Sequence, residues 1–581
     1  MTEHDELEQL IRKYALLNAV QHDGRAHIEP VIGKLLAERP DLKQQVKEIF
    51  PLAAKVVKEI NKFSKTWQRK ELKKKWPEML VEEKAKPEER VLPPLQNVKK
   101  YEKIVTRFSP NPDCVLHLGA ARAIILSHEY AQIYKGAFYL RFEDTDPKTK
   151  KPELEFYDSI REDLRWLGCK WDAQFIQSDR LPIYYEHAEK LLKNGHAYVC
   201  VCVPVKFRKT VIAGKPCRCR NTPPEDQLIL WKKMLDGKFP EGKAVVRVKT
   251  ELSHPNPAVR DWPALRIIDA EKYPHPRTGA KYRVWPLYNF ACGIDDHLLG
   301  ITHIIRGKEH LTNEERQRYM YKYFNWNYPE TIHYGRLKIT GTVLSKSKIK
   351  MGIKDGLFSG YDDPRLATFK ALRRRGITPE AIRRLMIDIG PKTADIVISW
   401  ENLYAYNRKI LDPIANRYFF VSNPIPLTVT NVLKPYKPSI PLHPSHKERG
   451  FRTFTIIPAE NTVSLLVSGS DIKILKLGRV VRLMELFNIK IKKASKKKVE
   501  AAFHSEPYSE AKRLEATLIH WLPAGSGVKT SVIMPDASVV EGYAEDDCRK
   551  LEDGSFIQFE RFGFVHVDKT EEPLTAYYAH P

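Results

Sequence analysis

Apolar side chains return every three to four positions through the N-terminal block: Leu7, Leu10, Ile11 and Tyr14, then Ile32, Leu35 and Leu36, then Val46, Ile49 and Phe50. That period predicts helices, each with one buried stripe. A basic run follows, Lys65, Arg69, Lys70, Lys73, Lys74 and Lys75, which reads as a solvated face or as a contact for RNA. The stretch from Lys84 to Pro94 is charged and proline-containing and reads as a linker. From residue 99 the period changes. Tyr101 to Phe108 predicts a strand, and Ser109-Pro110-Asn111-Pro112 ends it because proline has no N–H for a ladder. Leu118 to Lys135 is helical in spacing, through Ile124, Ile125, Tyr130, Ala131 and Tyr134, and Ala137 to Phe142 is the next strand. Such a strand–helix–strand unit argues for a parallel sheet that binds its ligand at the strand C-termini. Prolines gather beyond about 410, at Pro413, Pro424, Pro426, Pro435, Pro438, Pro441 and Pro444. Short alternating strands come after them: Val463 to Val467, Arg479 to Leu486, Glu515 to Trp521, Lys529 to Met534, Phe556 to Glu560 and Gly563 to Val567. Their length and spacing predict β-barrels.

Composition sharpens this outline. A chain of 581 residues is too long for one core. With 97 Lys and Arg against 72 Asp and Glu, the formal charge is +25, which suits a polyanionic partner such as nucleic acid better than an isolated surface. No apolar stretch is long enough to cross a bilayer, and Met1-Thr2-Glu3-His4-Asp5-Glu6 is acidic with no apolar signal core. A cytoplasmic protein is expected, its eight cysteines serving as thiols or metal ligands. Half of them stand as Cys200-x-Cys202 and Cys217-x-Cys219, a set that suits a tetrahedral structural Zn²⁺. The plain alternative is four free thiols from a site that has lost its metal. Cys114, Cys169, Cys292 and Cys548 look like core or incidental residues.

Two short motifs carry candidate chemistry. His117-Leu118-Gly119-Ala120 opens the first predicted helix, and Leu344-Ser345-Lys346-Ser347 lies on a loop far downstream. A helix N-terminus offers N–H donors and a favourable dipole to phosphate. His117 can add an imidazole N–H, Gly119 lets backbone approach without a Cβ, and Lys346 brings an ammonium flanked by the hydroxyls of Ser345 and Ser347. Alone, either motif reads as readily as a capping histidine or a solvated lysine; their order and strand–loop–helix setting argue for a nucleotide site.

The chain resembles the archaeal-type glutamyl-tRNA synthetases, class I enzymes close to the glutaminyl type. The residues that carry the resemblance are Arg107 to Pro112, His117 to Ala120, Arg141-Phe142-Glu143-Asp144-Thr145-Asp146-Pro147, Gly300 to His310, Gly335-Arg336-Leu337, Leu344 to Lys348, Ile519-His520-Trp521 and Gln558-Phe559-Glu560-Arg561. Leu17-Asn18-Ala19-Val20 and Val31 to Leu36 match the helical extension of the same proteins. Two positions depart from the pattern. Ala120 ends the first motif in place of histidine, and Val343 stands where the second has its first lysine.

The resemblance implies a multidomain protein. Its parts are an N-terminal helical extension and linker (1–98), a Rossmann-like α/β nucleotide-binding catalytic domain in two halves (99–197 and 286–335), an acceptor-end insertion carrying the zinc site (198–285), the second-motif loop with a helical connection (336–410), and all-β anticodon-binding barrels (411–581). It implies two-step ligation of L-glutamate to the 3′-terminal adenosine of tRNA-Glu through glutamyl-adenylate, using ATP and Mg²⁺. His117 and Lys346 would stabilise the phosphate, and Arg336 and Leu337 would cradle the adenine through backbone. Arg107 would hold a substrate carboxylate, Glu143 the ammonium, and Tyr288 would line the pocket with Arg306. Arg306 points to glutamate, because an all-donor guanidinium leaves the NH₂ of glutamine unpaired. Gln558 and Arg561 would read the third anticodon base, with Arg452 a looser candidate for the second. A monomer is expected; if tRNA-Gln is charged as well, a tRNA-dependent amidotransferase must follow. The rival readings are a glutaminyl-tRNA synthetase and a catalytically inactive tRNA-binding regulator.

Overall fold

The computed structural model describes residues 3–21, 24–76, 79, 91–342 and 344–581. The chain divides into two compact units, Met1–Arg90 and Val91–Pro581. The first unit is built from helices α1 (Glu3–Gln21), α2 (Ile28–Glu38), α3 (Val46–Ile60) and α4 (Lys65–Lys75). The helical stripes do what their spacing predicts, except that Phe50 is exposed: Ile11, Ala15, Val31, Leu35, Ala53, Val56, Ile60 and Leu72 form its core. Ser64 caps α4 by accepting the Trp67 N–H at 3.3 Å. Gln68, fully buried, donates to the carbonyls of Ile60 and Phe63 and so fixes the turn before α4.

In the second unit, β1 (Val105–Phe108), α5 (Leu118–Ile133), β2 (Ala137–Phe142), α6 (Leu154–Trp166) and β3 (Ala173–Ile176) make a parallel sheet in the order β1-β2-β3. The predicted strand from Tyr101 begins only at Val105, because Val98–Lys100 coil into a 3-10 turn. Lys84 to Arg90 lie outside the described residues. The rest of the expected linker is not free chain: Leu92 and Leu95 are buried against Leu126, Tyr130 and Ile305. Next come α7 (Leu181–Lys193), β4 (Ala197–Cys200), α8 (Pro204–Ile212), α9 (Pro224–Leu235), β5 (Val245–Val248), β6 (Pro263–Ile267) and β7 (Val284–Pro286). These four strands form an antiparallel sheet in sequence order. Helix α10 (Tyr288–Leu298) leads back to β8 (His303–Gly307), α11 (Leu311–Phe324) and β9 (Glu330–Tyr334), with β8 and β9 parallel. The Thr302 N–H donates to the Val105 carbonyl at 2.9 Å and sets β8 beside β1.

The chain then runs through β10 (Leu337–Ile339), α12 (Lys346–Lys354), α13 (Phe369–Arg374), α14 (Pro379–Ile389), β11 (Ile396–Ile398) and α15 (Trp400–Leu411), with β10 parallel to β11. Arg122 of α5, fully buried, donates to the carbonyls of Gly335, Gly390 and Lys392 and pins the entry to β10. A side chain at Gly335 is excluded, since a Cβ there would meet the Ala394 carbonyl oxygen at 2.0 Å.

All-β structure follows. The strands are β12 (Asn416–Tyr418), β13 (Phe420–Ser422), β14 (Ile425–Thr430), β15 (Ser439–Pro441), β16 (Phe451–Thr453), β17 (Thr462–Val467), β18 (Val480–Leu483), β19 (Asn488–Ala494), β20 (Val499–Ser505), β21 (Thr517–Ile519), β22 (Leu522–Pro523), β23 (Val528–Ile533), β24 (Val539–Ala544), β25 (Phe556–Phe559), β26 (Gly563–Lys569) and β27 (Leu574–His580). One seven-stranded sheet runs β12-β25-β26-β27-β23-β24-β13, the other β21-β18-β19-β20-β14-β17-β22. In each, the two edge strands are neighbours in sequence, β12 and β13 separated by Phe419, β21 and β22 by His520-Trp521. A sheet whose opposite edges are joined by so short a piece of chain has to roll up until they meet. Each sheet is therefore a nearly closed barrel around its own apolar core, as the strand spacing predicts.

Candidate active site and tRNA-contacting surfaces

His117 is the N-cap of α5, and its Nδ1 accepts the Gly119 N–H at 3.0 Å. With Nδ1 so engaged, Nε2 carries the proton of the neutral ring and is the free donor. Burial, reinforced by the Lys346 charge, pulls the imidazole down to about 4. Gly119 serves this arrangement directly: a Cβ would press on the His117 ring at 2.8 Å. Ala120 packs against the apolar core and offers no polar contact.

Lys346 does not ride on a loop, as its motif suggests, but sits in the first turn of α12 with Ser345 as the N-cap residue. Its ammonium donates to Asp113 at 2.7 Å and to the Asn111 carbonyl at 3.2 Å, which places it at the turn just after β1. Ser347 is exposed beside it, while Val343 lies outside the described residues. The two motifs, far apart in sequence, thus face one another electrostatically. Arg336 has spent its backbone: its N–H donates to Asp395 and its carbonyl accepts from Ile396. Leu337 follows as the first residue of β10, in register with Ile396 of β11.

A second group converges where β1, β2, α10 and β8 meet. Arg107 on β1 forms two bonds to Asp296 of α10, at 3.0 and 3.2 Å. Arg141 on β2 donates to the same carboxylate at 2.7 Å and to Glu143 at 3.0 Å. Burial would raise Asp296, but these two guanidiniums hold it well below the usual carboxylate range. The bonds from Arg107 to Asp296 use its Nε and Nη2, so its Nη1 is the donor that suits a carboxylate ligand. Glu143 is pushed up by burial against the pull of Arg141 and Arg107 and sits where an ammonium would satisfy it.

Arg306, 5% exposed, donates to the Gln317 amide oxygen at 3.2 Å and to the Tyr328 hydroxyl at 3.0 Å. Its nearest carboxylate, Glu314, is 3.7 Å away and is held more closely by Arg318 at 2.6 Å. Tyr288 opens α10, its ring 5.3 Å from His310, and it feels the charges of Glu143, Arg306 and Arg107. His310 is pulled down to about 4, first by burial and then by Arg306 and Arg107, so it adds a neutral ring to a cationic pocket.

Sequence reasoning passed over three members of this site. Arg141 lay inside a quoted motif without a role. Asp296 is a buried acid on an otherwise apolar helix face, and the pair Asp295-Asp296 was the available signal. Cys292, expected to be a core or incidental residue, is fully buried but lies 3.1 Å from an Arg141 guanidinium nitrogen, and burial pushes its thiol up to about 12. It is a neutral wall of the pocket.

In the region between β4 and β5, the sulfurs of Cys200, Cys202, Cys217 and Cys219 all lie within 4.8 Å of one another. The closest pairs are Cys200–Cys217 at 4.0 Å and Cys202–Cys219 at 3.7 Å. Zn–S bonds of about 2.3 Å require tetrahedral S···S separations of about 3.8 Å, so the residues fit zinc. The hydrogen bond shared with Cys200 draws the Cys217 thiol down to about 5. Gln227 holds both arms, accepting the Val199 N–H at 2.6 Å and donating to the Cys219 carbonyl at 2.9 Å.

The barrel residues divide sharply. Gln558 on β25 is half-buried. Arg561 follows β25 with a left-handed backbone (φ 62°). It reaches from one barrel to the other, with two bonds to Asp471 at 2.6 and 3.0 Å and a third to His520 at 3.2 Å, and its side chain stays 31% exposed. Arg452 corrects the expectation made for it. It is 1% exposed, paired with Glu545 at 2.6 Å and with Glu560, and lies over the Phe419 ring at 4.5 Å. Its Nε alone has no partner, and at this depth, between two carboxylates and a ring, the side chain presents no donor to a base edge.

A βαβ sheet whose helix-capping histidine feels the charge of a lysine from far along the chain, followed by paired barrels, is the architecture of a class I tRNA synthetase. The profile "tRNA synthetases class I (E and Q), catalytic domain" matches residues 103–413, and two anti-codon binding domain profiles of the same family match residues 415–505 and 518–568. The chain belongs to this family. It is 52% identical to the glutamate–tRNA ligase of Pyrococcus furiosus over 581 residues, covering 99% of this chain and 100% of that one. It is 52% identical to the glutamate–tRNA ligase of Thermococcus kodakarensis over 580 residues, with the same coverage, and 46% identical to that of Sulfurisphaera tokodaii over 582 residues, again 99% and 100% covered. No described helix is long and apolar enough to cross a membrane.

Proposed function

We propose that this protein ligates L-glutamate to the 3′-terminal adenosine of tRNA-Glu, with ATP as the energy source. The observation that carries the reading is Arg306: a buried guanidinium held by neutral side chains, with its nearest carboxylate better paired elsewhere, in a chain similar along its whole length to glutamate–tRNA ligases. The substrate side-chain carboxylate completes the fork of Arg306. Glu143 takes the substrate ammonium, while Arg107 and Tyr288 close the pocket around it.

The α-carboxylate then attacks the α-phosphorus of ATP. One P–O bond forms, the bond to pyrophosphate breaks, and glutamyl-adenylate results. In the second step a ribose hydroxyl of the terminal adenosine attacks the acyl carbon and AMP leaves with the bonding pair. No enzyme nucleophile takes part, so rate comes from positioning and from charge stabilisation at phosphorus. His117 donates from Nε2, and Lys346 swings from Asp113 to the phosphates. Mg²⁺ carried in with ATP lowers the charge on the phosphate oxygens. Leu337 supplies the backbone for the adenine, and Ser345 and Ser347 flank Lys346.

The four cysteines hold a structural Zn²⁺ that shapes the region receiving the tRNA acceptor end. Gln558 and Arg561 contact the third anticodon base. The protein works as a monomer in the cytoplasm, where its RNA substrate is found. The test is charging of tRNA-Glu and tRNA-Gln transcripts with labelled glutamate, with labelled glutamine in parallel. Charging of tRNA-Glu with glutamate is expected, and glutamine charging would overturn the reading. Glutamate on tRNA-Gln too would make a tRNA-dependent amidotransferase the enzyme that consumes the product.

A further inference from the structure

The N-terminal unit takes no part in the chemistry above, yet its last described helix carries a surface of a particular kind. Residues 62–75 hold seven basic side chains and one acidic one. On α4, Gln68 and Leu72 face the core. At 100° per residue, Arg69, Lys73, Lys70 and Lys74 fan across the opposite side, and all four are exposed. None of the four pairs with a carboxylate among the described residues; the one acid on the helix, Glu71, is paired with Lys75 at 3.1 Å. Four like charges on two turns repel one another and weaken the helix unless a partner neutralises them.

Aromatic surface adjoins this fan. Phe63 is 37% exposed and stacks on Trp67 at 3.8 Å with 19° between the rings. Trp67 lies three and seven positions before Lys70 and Lys74, so the stack borders the cationic side. Trp67 itself leans on the core, which leaves Phe63 as the outer ring. A membrane-binding helix would need a broad apolar face opposite its lysines, and here that face is already buried against α1, as Leu72 shows. Unpaired cations beside an outward aromatic ring match instead the two needs of single-stranded or looped RNA: phosphate neutralisation and a platform for an unstacked base.

We propose that the α4 surface is a second RNA-contacting site, with Arg69, Lys70, Lys73 and Lys74 on phosphates and Phe63 stacking on a base. The RNA is the tRNA substrate, which rests on the reading given above. The site adds affinity to a reaction whose chemistry lies in the other unit, so it acts on tRNA binding and leaves turnover alone.

The test uses the full chain. The variant Arg69→Ala, Lys70→Ala, Lys73→Ala, Lys74→Ala raises helix propensity at exposed positions, and circular dichroism checks that it folds. The dissociation constant for tRNA-Glu is measured across a salt series. The parent's dependence of log affinity on log salt is expected to become shallower by about 3, since each neutralised phosphate contributes about 0.7–0.9 to the slope. The KM for tRNA rises about tenfold or more while kcat holds. Phe63→Ala is expected to weaken binding by about fivefold or more with the salt slope unchanged, in line with loss of one stacked base. An unchanged slope and affinity in the quadruple variant overturns the phosphate contacts, and an unchanged affinity in Phe63→Ala overturns the stacking contact. Loss of binding to anionic phosphatidylserine vesicles in place of tRNA overturns the assignment to RNA. If the parent itself fails to bind tRNA, the fault lies with the proposed function and not with this surface.

Discussion

Two buried arginines, one in the pocket and one in the barrels, show how the same side chain takes opposite roles. Arg306 is surrounded by an amide, a hydroxyl and an imidazole, and its nearest carboxylate, Glu314 at 3.7 Å, is shared with Arg318, which holds it at 2.6 Å. Arg452, still more buried, is clamped between Glu545 and Glu560 over an aromatic face. Burial of a charge is tolerated only when it is answered. For Arg452 the protein answers it from within. For Arg306 the neutral groups satisfy N–H donors but leave the charge open, and that is the ground for proposing it as the partner of a substrate carboxylate. Between these two arginines, the difference lies in whether the protein's own carboxylates close the charge, as Glu545 and Glu560 do for Arg452, or leave it to neutral neighbours, as around Arg306.

The comparison can be broken first at the strut. Arg452→Ala leaves Glu545 buried without a counter-charge and should lower stability by about 3–5 kcal/mol, read as a shift in the urea midpoint, with glutamate activation by surviving folded protein near that of the parent. A midpoint shift below about 1 kcal/mol would place Arg452 outside the structural network. Arg306→Ala should do the reverse. Adenylation with glutamate falls by about 10²-fold or more, which is about 2.7 kcal/mol at the transition state. Stability changes little, because Tyr328 keeps its own hydrogen bond to Gln317 at 2.7 Å. Unchanged kinetics would remove Arg306 from the pocket's chemistry.

The cysteine cluster sharpens the same contrast between filled and open sites. Purified protein should carry close to one equivalent of zinc by elemental analysis, and Cys217→Ser should lower both zinc content and the KM-dependent efficiency for tRNA while ATP binding survives. Less than about a tenth of an equivalent in the parent would leave four thiols with no metal role.

The smallest effect is expected from pH. His520 is held at about 4, below its ordinary 6.5, chiefly by burial and then by Arg561. As pH falls through 6.5 the unfolded chain takes up this proton and the folded one does not, so the group's contribution is present above 6.5 and lost between 6.5 and 4. His520→Gln should give a urea midpoint that declines less steeply than the parent's from pH 7 to pH 5. His117 and His310, held near the same value in the pocket, predict a comparable decline that His520→Gln leaves in place.

Much of this protein is set by sequence alone. The helical stripes of the first unit, the strand–helix–strand start of the sheet, and the short alternating strands of the barrels all follow from periodicity, because burial of one face imposes the period locally. Motif residues such as His117 and Lys346 are legible for the same reason: a helix N-terminus and a lysine have their chemistry wherever they stand. What sequence could not supply was partnership. Whether Arg452 or Arg561 is open to a base depends on Glu545, Glu560 and Asp471, which lie tens of residues away and meet them only when the barrels roll up. The sharing of Asp296 by Arg107 and Arg141, and the loss of the Arg336 backbone to Asp395 and Ile396, arise in the same way. Periodicity is a property of neighbours along the chain, whereas the state of a charge is fixed by neighbours in space, and only the tertiary structure brings those together.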